Sequence, residues 1–103
     1  MSAETAPVWR DVTNYGHPRA KDGPLCFEIE VGGVTVEVQH YAGTKDRLGG
    51  WHVSCRGSLT IESTVIRNCK RLDVASAKYA ALKTVQERVR EIDHACALAG
   101  GER

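Results

Sequence analysis

The sequence predicts a two-layer α+β domain in which an antiparallel meander of three to four strands packs on one long C-terminal helix. Three stretches carry that expectation. Residues 26–41 alternate apolar and polar side chains on both sides of Gly32-Gly33, and Trp51, Val53 and Cys55 repeat the alternation. Residues 72–99 then form a nearly uninterrupted run of helix formers. A chain of 103 residues holds one modest core. With 42% hydrophobic and 26% charged residues, it has the composition of a folded globular chain and not of a disordered one.

Residues 1–24 hold all three prolines and show no sustained periodicity, so they read as an N-terminal arm ahead of a single domain at 25–103. Within the arm, Val8, Trp9 and Val12 are spaced to share one face of a short helical turn, with Pro7 near its start. The Trp9 ring needs an apolar surface, and packing back on the domain is expected over a free anchor for a partner.

In the first hairpin a two-residue turn at Gly32-Gly33 pairs Val31 with Val34, Ile29 with Val36 and Phe27 with Val38. Every apolar side chain then lands on one face, so turn and pattern agree on the register. The other face, with Glu28, Glu30, Thr35, Glu37, Gln39, His52, Thr60 and Glu62, is expected to be wet. Residues 42–50 are a polar loop too long for a tight turn, and Trp51 opens a third strand. Leu59, Ile61 and Val65 mark a fourth. A two-residue turn at Arg56-Gly57 would put Leu59 and Ile61 on the wrong face, so a three-residue turn through Ser58 or a bulge is expected. Asp73 is the expected N-cap of the helix, and Gly100-Gly101 its end.

About 25 helical residues rising 1.5 Å each span roughly 37 Å, whereas strands of about six residues span only about 20 Å. The helix therefore outruns the sheet. Ala77, Ala80 and Ala81 allow close approach in its first half. Leu82, Val85, Val89, Ile92 and Cys96, at alternating spacings of three and four, form a coiled-coil-like seam carried past the sheet edge. The expected cover is a second chain, most simply another copy, or the Trp9 arm. Val85, Val89, Ile92, Cys96 and Trp9 are thus the candidate protein interface of a small non-enzymatic interaction protein.

Fourteen Lys and Arg against thirteen Asp and Glu give a formal charge of +1, which lacks the strong basic field of a dedicated nucleic-acid binder. The local alternative is Arg67, Lys70, Arg71 and Lys78, before and at the start of the helix, as a nucleic-acid-binding patch. Four scattered cysteines without paired spacing read as reduced thiols, with neither a disulfide framework nor a metal site. Cys69 beside Lys70 and Arg71 is the thiol most exposed to cationic activation. No nucleophile elbow, phosphate-cradling loop or helical zinc motif occurs, so neither an enzyme nor a cofactor is expected. With no leader and no apolar run of membrane-spanning length, the expected location is the cytoplasm.

The strand–strand–strand–helix order, with Ala77-Lys78-Tyr79-Ala80-Ala81-Leu82 in the helix, resembles the second half of a double-stranded RNA-binding domain. That resemblance implies phosphate contacts from the helix start. The sequence departs from it at Asp73 and Val74, where basic residues would stand. The β-meander with its aromatic start at Trp51 and its alanine-rich terminal helix also resembles the small accessory proteins of actinobacterial phages. That likeness implies a protein that acts by binding another protein.

Overall fold

Alternation of large apolar and polar side chains drives two of the strands together before anything else in the chain can pack. In the computed structural model, which describes residues 6–101, these are β2 (Cys26–Val31) and β3 (Val34–Tyr41). The short β1 (Arg10–Asp11) precedes them; β4 (Gly50–Gly57), β5 (Ile61–Val65) and helix α1 (Val74–Gly101) follow. The strands form one antiparallel sheet in the order β1-β2-β3-β4-β5. The β2–β3 register is the expected one, Phe27 opposite Val38, Ile29 opposite Val36 and Val31 opposite Val34, with Gly32 and Gly33 both at positive φ.

Five strands stand where three to four were expected. The extra one comes from the arm, whose first five residues lie outside those described. The helical turn expected at residues 8–12 is not formed. Arg10 and Asp11 instead pair with Glu28 and Phe27 along the otherwise open edge of β2. Two residues are too few to show a period, and the free edge supplies hydrogen bonds that a lone helical turn lacks. Below this strand the arm is tied down by Thr13, whose Oγ accepts the Leu25 and Cys26 amides and donates to the Cys26 carbonyl. A 3₁₀ turn (Pro18–Asp22) then buries Ala20.

The β4–β5 connection keeps Ile61 inside, opposite Cys55, as the pattern requires. The accompanying bulge falls further along than Ser58. Between Ile61 and Thr64 the chain of β5 gains one residue on β4, so Thr64 opposes Val53 and Val65 opposes His52. Beside Val65, with the Tyr41 ring edge-on at 5.0 Å, His52 is buried on a face where alternation predicts a wet residue. On that same face Glu28 and Glu37 are cross-strand neighbours, but Glu28 is bracketed by Arg10 at 2.7 Å and Arg56 at 3.4 Å.

The core lies between the other sheet face and α1. It contains Phe27, Ile29, Val34, Val36, Val38, Trp51, Val53, Cys55 and Ile61 from the sheet, closed by Ala77, Ala81 and Val85. The small alanines let the helix axis lie close to the strands. Trp51 fills the centre of one end and donates its indole N–H to the carbonyls of Lys70 and Arg71 at 3.1 and 3.2 Å.

His40 sits at that end, edge-on to Trp51, with its Nδ1 accepting from the Arg19 guanidinium. That contact requires the neutral ring. Burial first, then the charges of Arg19, Arg71 and His52, push its pKa down to about 4. Since an unfolded histidine titrates near 6.5, the folded state binds fewer protons below that pH. Stability contributed by His40 is therefore complete above pH 6.5 and lost as the pH falls towards 4. For a half-exposed ring we expect a loss of about 1 to 2 kcal/mol between pH 7 and pH 4.5. Urea unfolding at both pH values, compared with His40→Gln, checks this: the variant should lose that part of the pH dependence.

Candidate protein interface

Helix α1 starts one residue after Asp73, whose Oδ1 accepts the Ser76 amide at 3.2 Å as an N-cap bond, and the Ser76 hydroxyl first, then its amide, hold this carboxyl below its usual pKa. Its far end runs through Gly100 to Gly101, slightly beyond the expected stop. The 28 residues extend about 42 Å, against about 26 Å for the eight residues of β3.

The boundary between the two halves is sharp. Ala77, Ala81 and Val85 are buried, and every residue from 86 to 101 is exposed, a projection of about 24 Å. Val85 was expected in the projecting seam; instead it is the last helix residue under the sheet, only 7% exposed. Beyond it Val89 is 52% and Ile92 44% exposed, and Cys96 is exposed as well. These three continue the Val85 line at spacings of four, three and four, so the projecting apolar stripe is the core-facing stripe carried beyond its sheet. The Arg88–Glu91 pair at 3.3 Å flanks it. Leu98, 62% exposed, falls off the stripe.

Trp9 packs back on the domain, half-buried against the core, with the Lys78 ammonium 5.8 Å from its ring centre and 4.2 Å from that of Phe27. This places the arm's indole on the first half of α1. It does not join Val89, Ile92 and Cys96.

The four basic residues singled out from the sequence are also separated. Arg67 and Lys70 line an open cleft of about 660 Å³ between residues 48–50 and the β5–α1 connection. Arg71 turns away and donates to the carbonyls of Pro24 and Gly23, both at 2.8 Å, fastening the arm to the connection. Lys78 is engaged with the two aromatic rings. Cys69, in the same cleft as Arg67 and Lys70, donates its thiol to the Asp73 carbonyl at 3.5 Å, and burial, aided by Asp73, raises its pKa. The neighbouring cations do not activate it. Cys26 is likewise held protonated, pushed up to about 12 by burial and then by Glu37 and Glu28.

Two other arginines, Arg47 among the loop cations the sequence offers and Arg19 not, share one cleft. Arg19 from the 3₁₀ turn and Arg47 from the β3–β4 loop line a cleft of about 400 Å³ beside Tyr41. They come from irregular segments more than twenty residues apart, which pattern reading cannot bring together.

Among the described residues no three His, Cys, Asp or Glu side chains are grouped to hold a metal ion, and no helix is long and apolar enough to cross a membrane. No protein-family model, curated protein or solved structure matches the chain.

Proposed function

We propose that this is a small non-enzymatic interaction protein that self-associates through the projecting half of α1. The observation that carries the reading is the continuation of the buried helix stripe into Val89, Ile92 and Cys96 with no sheet beneath it. Water is a poor surround for two β-branched side chains and a thiol in line, and a second copy of the same stripe is the simplest apolar cover.

Its orientation follows from sterics. Because the stripe continues the core-facing side, each sheet stands on the side from which a partner helix must approach. Parallel helices would bring the two sheets against each other. Antiparallel projections overlap freely, with the sheets at opposite ends, and place Ile92 of one copy near Cys96 of the other.

The test is sedimentation equilibrium of the full chain beside a Val89→Glu/Ile92→Glu double variant. The wild type should reach dimer mass, and the variant should weaken association at least about a hundredfold. Both substitutions lie on exposed positions, so the far-ultraviolet spectrum and unfolding midpoint should be kept. A wild type that stays monomeric at all accessible concentrations would overturn the proposal, as would a variant that dimerises undiminished.

A further inference from the structure

At the opposite end of the molecule from the projecting helix, the arm and the β3–β4 loop enclose the cleft shared by Arg19 and Arg47. Its other polar lining residues include Asn14, His17, Gln39, Tyr41 and Thr44, and no Asp or Glu lines it. We propose that this cleft binds an oxyanion of the phosphate class, held by Arg19 and Arg47.

The charge pattern is the first argument. Elsewhere Arg10, Arg56 and Arg88 each have a carboxylate within 4 Å. Among the described residues neither Arg19 nor Arg47 has one, as is also true of Arg67, Arg71 and Arg90; Arg19 and Arg47 differ in lining one cleft that no acid lines. Arg19 is half-buried, and Arg71 lies close enough for the two like charges to disfavour one another, lowering the Arg71 pKa after burial does. Asp22, the acid that acts on Arg71, lines the neighbouring cleft with Arg19 and Arg71 and not the cleft of Arg47. The same cations help to keep His40 neutral. An anion bound to Arg19 would offset part of its repulsion with Arg71, although Arg71 itself lines the neighbouring cleft.

Preorganisation is the second. Arg19 is fixed by donating Nη1 to the His40 carbonyl at 3.2 Å and Nη2 to the His40 ring. The Arg47 guanidinium carbon lies over the Tyr41 ring, 4.3 Å from its centre, and among the described residues no hydrogen bond uses its N–H donors. His17 accepts the Arg19 amide at Nδ1, so its neutral ring carries the proton on Nε2 and adds an N–H donor. The Thr44 hydroxyl accepts the Asp46 amide and keeps its own hydrogen to give. The edge donors of Arg47, the N–H groups that Arg19 does not give to His40, and the neutral donors around them can meet the several acceptor oxygens of a phosphate. The cleft has room for more than the phosphate alone, so the group can belong to a small phosphate ester or to a nucleic-acid backbone.

Amide chemical shifts of the full chain, followed during titration with sodium phosphate against sodium chloride at matched ionic strength, test the site. Phosphate should move the amides of Asn14, His17, Thr44 and Arg47 saturably, and Arg47→Gln, on an exposed loop, should weaken that binding about tenfold or more. Thr44→Ala should weaken it less, with unchanged folding. A parallel titration with an oligothymidylate distinguishes the source. Binding much tighter than phosphate and lost in Arg47→Gln assigns a nucleic-acid backbone, with affinity falling as salt rises. Phosphate binding without oligonucleotide binding assigns a small phosphate ester. Equal shifts with chloride, or an Arg47→Gln protein that binds phosphate as tightly as the wild type, would overturn the site.

Discussion

Trp51→Ala should remove a large part of the stability of the chain. The indole is completely buried, the largest side chain in the core, and its N–H holds the carbonyls of Lys70 and Arg71. Truncating a buried Trp costs about 3 to 5 kcal/mol in packing alone, against a total of about 5 to 15 kcal/mol for a domain. The loss propagates. With the indole gone the β5–α1 connection is unpinned, and Arg71, whose guanidinium holds the Gly23 and Pro24 carbonyls, no longer has a fixed base from which to hold the arm. Trp51→Phe separates the two contributions, since it retains much of the packing and removes the donor; a loss of about 1 to 3 kcal/mol is expected. Denaturant midpoints of both variants decide the matter. A near-normal midpoint for Trp51→Ala would show that the core is not built around this ring.

Gly57→Ala should be the most damaging of the single-methyl additions. Gly57 has φ of +113°, outside the range that side chains readily adopt, and an added Cβ would stand 2.5 Å from the Gly33 carbonyl oxygen. That oxygen accepts the Ser58 amide, so the backbone cannot withdraw without breaking the closure of the β3–β4 ladder. We expect about 3 kcal/mol or more, a fall in Tm of roughly 10 °C or more for a domain of this size. Gly32 is the internal control: at φ +53° with nothing within 4 Å of an added Cβ, Gly32→Asn should cost less than about 1 kcal/mol. Thermal melts in which the two variants fall together would contradict this account of the turn.

The parts of the fold legible in the sequence are those whose local pattern and turn chemistry agree. Residues 26–41 could pair in only one register that keeps Phe27, Ile29, Val31, Val34, Val36 and Val38 together, and the Gly-Gly turn selects that register. Helix α1 was legible from its composition, and its excess length from simple rise per residue. What was not legible depends on partners distant in sequence. Strand β1 exists because β2 has an unpaired edge, a fact invisible in Arg10 and Asp11 themselves. His52 is buried because a bulge three residues into β5 turns Val65 towards it. Val85 was assigned to the projecting seam because spacing alone cannot say where the sheet ends. The Arg19–Arg47 cleft was missed for the same kind of reason, since two loops converge there without any shared period.

The outer strands bear on how copies of this protein can meet. At one margin β1 offers only two residues, both charged; at the other, β5 is five residues long and bulged, with Glu62, Ser63 and Thr64 exposed. Neither margin presents the long, flat row of free amides and carbonyls that lets strands of neighbouring molecules zip together. Growth into an open-ended ribbon is thereby obstructed at both sides, which leaves side-chain packing as the route for the proposed self-association. A contact made that way between two equivalent helices is satisfied by one partner and stops there.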